Sequence, residues 1–252
     1  LHERLWAPLE ASLAGCSRVR IAPHRLLHYL PWAALHDGQG WLVDRFEISL
    51  VPSARIGLGT TASAAPRFDR VLALGIGGSS LPHVTTEARA VAEAFGAGAT
   101  LLLDAEATGA ALRREAPLAD LLHLACHAQF RADSPYFSAL HLADGELTLR
   151  DAAALPLRAA LVTLSACETG LSRVAPGDEL VGLVRGFLLA GARHVMASLW
   201  TVDDASTAEL MRAVYAGLIR GQRPAQALQA AQAALARAGH HPFYWAAFSL
   251  HA

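Results

Sequence analysis

The sequence predicts a three-layer α/β sandwich around a mostly parallel sheet, with a smaller subdomain at its N-terminal end. Three observations carry this expectation. Four short apolar runs, Arg70–Gly75, Leu121–Ala128, Leu161–Cys167 and His194–Trp200, have the near-continuous hydrophobicity of strands buried on both faces. Segments with apolar residues at helical spacing separate them, such as Leu180, Leu183, Val184, Phe187 and Leu188; strands alternating with helices argue for parallel pairing. A stretch rich in Ala, Ser, Thr and Pro, Thr60–Phe68, reads as a linker and divides the chain into expected units 1–66 and 67–252.

Taken in order, Leu5, Trp6, Leu9 and Leu13 share one helical face, so an opening helix should end near Gly15. Arg18–Ala22 and Leu26–Tyr29 read as a hairpin turning at Pro23, and Pro31–Leu35 as a helical turn. Trp41–Val51 mixes apolar and polar residues like a half-exposed strand, and Pro52-Ser53 starts a short helix. After the Arg70–Gly75 strand a helix should run from about Thr85 to Phe95, followed by a strand at Ala99–Leu103. Thr108 is placed to cap a helix reaching about Ala116. Residues 129–150 read as a long polar connection with a turn at Asp144-Gly145, and Asp151–Leu155 as a short helix. A helix over Asp178–Ala190 is stopped by Gly191. Two further helices, Ser206–Ile219 and Pro224–Ala238, precede a closing strand at Trp245–His251.

With 252 residues, 53% of them apolar and 17% charged, the chain can bury a large core, which excludes global disorder. A net charge of -1 gives no electrostatic reason to expect nucleic acid or an anionic membrane as a partner. No apolar run is long enough to span a bilayer and no signal peptide is visible. Three cysteines without framework spacing point to a reducing compartment, hence a cytoplasmic location. The first residue is Leu1, already in a helical pattern, so the chain reads as a piece of a longer protein.

Two of the apolar runs end in reactive side chains. One carries Cys167 at its carboxyl end and the other His127. In open α/β sheets ligands bind beyond the carboxyl ends of the strands. If the two strands are neighbours, a thiol and an imidazole meet at that rim. A free thiol is only slightly ionised at neutral pH, and a nearby base generates thiolate. Backbone N–H groups near Cys167 and just after His127 are then placed to receive an oxyanion. The competing reading makes Cys167 a small buried hydrophobe. Cys126 should point to the opposite face from His127 and into the core, and His123 reads as a hydrogen-bonded core histidine. A zinc site of His123, His127 and Cys167 lacks the usual ligand spacings, and the four-residue spacing of His24 and His28 reads as chance. No metal is therefore expected. Gly75-Ile76-Gly77-Gly78-Ser79-Ser80 follows a strand, but Ser80 stands where the dinucleotide fingerprint needs its third Gly, and no phosphate-loop Lys is present. A structural turn is the simpler account, with a nucleotide-binding domain as the rival.

Several motifs occur in series: His123-Leu124-Ala125-Cys126-His127, Leu164-Ser165-Ala166-Cys167-Glu168-Thr169-Gly170, Gly177-Asp178-Glu179, Ala190-Gly191-Ala192, Ser198-Leu199-Trp200 and His241-Pro242-Phe243-Tyr244-Trp245-Ala246-Ala247-Phe248. Leu30-Pro31-Trp32-Ala33-Ala34-Leu35 and Val51-Pro52-Ser53-Ala54 join them. Together they resemble a CHAT domain, over nearly the whole chain. The resemblance implies the caspase–hemoglobinase fold shared with separases and caspases. It also implies a cysteine endopeptidase that needs no cofactor, with His127 as base, Cys167 as nucleophile, and the Ala128 and Cys167 N–H groups at the oxyanion. A specific protein substrate and control by a partner or an attached tetratricopeptide-repeat or other sensor domain are further implications. One departure is Ala128, where the family usually has Gly; it is the sequence support for the alternative, an inactive scaffold or peptide-binding module. In separase-like relatives an acidic residue of the loop after the Trp200 strand lines the pocket for the residue before the cut bond. Asp203 and Asp204 are thereby candidates for selecting Arg or Lys, and equally for capping the helix that follows. Glu168 reads as a turn residue and Glu179 as a first-turn acid.

Overall fold

The computed structural model describes residues 1–53, 65–78, 83–129, 137–165, 178–200 and 204–252. Among these residues, eight strands form one sheet in the order β1-β2-β11-β10-β9-β5-β3-β4. They are β1 (Arg18–Ile21), β2 (Glu47–Leu50), β3 (Val71–Gly75), β4 (Ala99–Leu103), β5 (Leu121–Ala125), β9 (Leu161–Leu164), β10 (Val195–Ser198) and β11 (Phe248–His251). Neighbours pair parallel except β10 with β11. The mostly parallel sheet is thus as expected. Residues 60–64 of the expected linker lie outside the described residues; the strands on either side of it, β2 and β3, are separated in the sheet by β11, β10, β9 and β5.

Alternation along the central strands builds the two outer layers. Leu72 and Leu74 of β3, Leu122 and Leu124 of β5, and Val162 and Leu164 of β9 share one core cluster. It also contains Leu112 of helix α4 (Gly109–Glu115), Ala152 of α5 (Leu149–Ala153) and Phe187 of α6 (Asp178–Leu189). Val71, Leu121 and Leu161 face the other way. They pack with Val91 of α3 (Val84–Phe95), Val214 and Tyr215 of α7 (Asp204–Ile219), and Leu228 of α8 (Pro224–Arg237). Each large aliphatic side chain so buried contributes about 1.5–3 kcal/mol. That is why strands buried on both faces read as unbroken apolar runs.

The helix signals work as anticipated at several ends. Thr108 accepts the Ala111 N–H at 3.1 Å and caps α4. Gly191 ends α6 with φ 110°, and a Cβ there would lie 2.4 Å from the Leu157 carbonyl oxygen. Gly75 is required by packing, because its Cβ would lie 2.7 Å from that of Ala88 in α3. This supports the structural reading of that glycine; Ser79 and Ser80 lie outside the described residues.

The N-terminal region differs from the sequence reading. The opening helix is two pieces, α1 (His2–Leu5) and a 3-10 segment Ala7–Leu13, because Pro8 cannot donate the next helical hydrogen bond. The expected hairpin does not form: β1 pairs parallel with β2, and Arg25–Tyr29 is a 3-10 turn. Within Trp41–Val51 the first half is helix α2 (Leu42–Arg45) and only Glu47–Leu50 is strand. Trp6, Trp32 and Phe46 fold this region over its own small core, with ring centroids 6.5 and 5.3 Å from Trp6. The expected helix after Pro52 lies mostly outside the described residues.

The polar connection at 129–150 instead contains most of a second sheet. Strands β6 (Ala128–Gln129), β7 (Ala139–Leu142) and β8 (Gly145–Thr148) pair antiparallel, with Gly145 at φ 142° in the β7–β8 turn. At the C-terminus, helix α9 (Pro242–Trp245) occupies the first part of the expected closing strand, leaving Phe248–His251 to pair.

Candidate active site

β5 and β9 are neighbours, and their register fixes how they end. Leu121 pairs with Leu161, Leu122 with Val162, His123 with Thr163 and Leu124 with Leu164, each pair 40 residues apart (161 − 121). The Ser165 N–H still donates to the Leu124 carbonyl at 3.0 Å, and the Ile76 N–H to the Ala125 carbonyl at 2.9 Å. Three parallel strands therefore reach the same rim. His127 and Cys167 have the same separation of 40 residues (167 − 127).

His127 is half-buried, between the end of β5 and the start of β6. Its carbonyl accepts the His141 N–H at 2.9 Å, which locks the backbone of the expected base to β7. That bond makes Ala128 and Leu140 a non-hydrogen-bonded antiparallel pair, so the Ala128 N–H points away from β7. The Ala128 methyl is buried in the first core cluster. Cys167, Glu168 and Asp203 lie outside the described residues, and the side chains of Glu179 and Asp204 are likewise not described. Asp204 begins α7.

The neighbouring histidine and cysteine are where the sequence placed them. Cys126 is fully buried among apolar side chains, which pushes its thiol up to about 12. His123 is fully buried and hydrogen-bonded, Nδ1 to the Tyr215 hydroxyl at 2.6 Å. Its Nε2 lies 3.4 Å from Glu87 Oε1 without hydrogen-bond geometry. That carboxylate favours the imidazolium, but complete burial dominates and brings His123 down to about 3, so the ring is neutral. Among the described residues no cluster of His, Cys, Asp or Glu has the arrangement of a metal site.

Glu87 and Tyr215 escaped the sequence reading. Glu87 is 8% exposed on α3 and accepts the Ser165 hydroxyl at 2.7 Å. Tyr215 on α7 stays protonated: burial raises it, the adjacent Glu87 charge raises it further, and Thr163 opposes both. A signal was present, since Val84, Glu87, Ala88 and Val91 fall on one helical face and an acid interrupts an apolar stripe.

A mostly parallel sheet covered by helices on both faces is a fold shared with solved structures. The chain aligns with a separase in the Saccharomyces cerevisiae separase–securin complex at a TM-score of 0.56 and 15% identity, over 89% of this chain and 14% of that one. The CHAT domain family model matches residues 1–252, and the chain belongs to that family. Tetratricopeptide repeat protein 28 of Mus musculus is 37% identical over 106 residues, and that of Homo sapiens 36%. The matched segment is 41% of this chain and 4% of either relative.

Proposed function

We propose that this domain is a cysteine endopeptidase in which His127 and Cys167 form the catalytic dyad. The observation that carries the reading is the common register: His127 follows β5 and Cys167 follows β9 at the same 40-residue offset as the paired strand positions. Adjacent strands lie about 4.8 Å apart, and the last paired positions, Leu124 and Leu164, precede His127 and Cys167 by three residues each (127 − 124 and 167 − 164).

In this reading the His127 imidazole takes the thiol proton as Cys167 sulfur attacks the peptide carbonyl carbon. A C–S bond forms, and the carbonyl π electrons move to oxygen. The Ala128 and Cys167 N–H groups receive that oxyanion. As the intermediate collapses, the C–N bond breaks and the His127 imidazolium gives its proton to the leaving amine. Water then attacks the thioester, passing a proton to His127, and the acid and thiol are released. The burial of the Ala128 methyl supports this role, since that side chain is used in packing. Asp203 and Asp204, following β10, are assigned to a pocket for Arg or Lys before the cut bond. The substrate is a specific protein, and an attached tetratricopeptide-repeat or other sensor region regulates cleavage. Free thiols at Cys16 and Cys126 fit a cytoplasmic setting.

A peptidyl chloromethyl ketone carrying Arg, followed by peptide mass spectrometry, tests the reading. Modification at Cys167, lost in His127→Ala along with peptide cleavage, is expected. Modification only at Cys16, with no cleavage after addition of the sensor region, would establish the scaffold alternative.

A further inference from the structure

Four buried polar side chains from four elements meet directly beneath the rim. Glu87 comes from α3, His123 from β5, Ser165 from the end of β9 and Tyr215 from α7. Their exposures are 8%, 0%, 6% and 2%. The chemistry of the groups orders the contacts. Ser165 Oγ donates to Glu87 Oε1 at 2.7 Å. The Tyr215 hydroxyl and His123 Nδ1 share a hydrogen bond at 2.6 Å, and the other ring nitrogen, Nε2, faces Glu87 Oε1 at 3.4 Å. The Glu87 carboxylate thus lies at the centre of a chain that touches both strands of the candidate dyad.

An acid is an expensive group to bury, and a core needing only volume would use an aliphatic residue there. The location explains the choice. Ser165 precedes Cys167 by two residues, and His123 precedes His127 by four. Apolar packing tolerates small slides; a charge-assisted hydrogen bond fixes distance and direction. We propose that Glu87 is a positioning residue for the peptidase reaction, holding the end of β9 through its hydrogen bond to Ser165 while its carboxylate packs against the His123 ring of β5 at 3.4 Å. The inference rests on the dyad reading above. Glu87 also ties α3 to the end of β9.

The three cysteines report on this in one experiment. Alkylation by iodoacetamide is followed at each thiol by mass spectrometry in the full protein, beside kcat and KM for a cleaved peptide. Cys16 is exposed and remote, so it calibrates reagent; Cys126 is buried, so its labelling reports unfolding. Glu87→Ala and Ser165→Ala should each lower the Cys167 rate and kcat by about tenfold to a hundredfold. KM should stay within about twofold and Cys126 unlabelled, a split that loss of fold does not produce. The double variant should cost no more than either single one. Glu87→Gln keeps an acceptor for Ser165 and should recover most of the rate. If parent Cys167 reacts faster than Cys16 but the variants keep parental rates, the positioning role is wrong and the peptidase reading stands. If parent Cys167 reacts no faster than Cys16 and no peptide is cleaved, the peptidase reading fails and the positioning role falls with it.

Discussion

Acid should destabilise this fold through two histidines folded in their neutral form. His123 is fully buried and brought down to about 3, and His251, buried against Ser249 with a 3.0 Å contact, to about 4. In the unfolded chain both return to about 6.5. A base whose folded pKa is depressed gives stability that is complete above the unfolded value and is lost as pH falls towards the folded one. The window is therefore roughly pH 6.5 down to 3 for His123 and 6.5 down to 4 for His251. Linkage sets the size: between pH 8 and pH 5 each site costs about 2 kcal/mol, so together about 4 kcal/mol. Urea unfolding at the two pH values measures the change. His123→Gln and His251→Gln should each remove about 2 kcal/mol of the pH dependence, whatever they do to stability at pH 8. Nuclear magnetic resonance titration of the ring protons supplies the refutation. If His123 titrates near 6.5 in the folded protein, the Glu87 carboxylate outweighs burial and the argument fails for that site. An unchanged difference between pH 8 and 5 in His123→Gln would say the same.

Three further outcomes follow from packing. Gly191→Ala meets the Leu157 carbonyl at 2.4 Å while retaining φ 110°, and should cost about 2 kcal/mol or more by thermal unfolding. Gln232 donates from Nε2 to the Trp245 and Phe248 carbonyls, both at 2.9 Å, so Gln232→Ala should cost about 2–4 kcal/mol in urea denaturation by leaving two acceptors without that donor. Cys126 should resist iodoacetamide at pH 8 while Cys16 reacts, and both should react in denaturant; labelling of native Cys126 would contradict its burial.

Local pattern sufficed where burial on two faces leaves one solution. The central strands and their helices were legible because β3, β5 and β9 bury both faces and must be apolar throughout. Alternation placed Cys126 in the core. Where segments are short and half-exposed the sequence was ambiguous. β1 finds its partner in β2, more than twenty residues away, and no local signal distinguishes that from a hairpin. The β7–β8 hairpin was hidden because its alternation, Ala139-Leu140-His141-Leu142 and Gly145-Glu146-Leu147-Thr148, spans only four residues on each side of a turn.

Composition, period and capping residues determine which stretches are strands and helices, since these depend on neighbours within a few residues. Only tertiary structure decided which strands adjoin, and so that the β5 and β9 ends coincide. Only it revealed that Glu87, Ser165, His123 and Tyr215, scattered over four elements, share one buried site. Such a cluster leaves no spacing pattern in the chain, because its members are brought together by layer packing and hydrogen-bond chemistry rather than by sequence proximity.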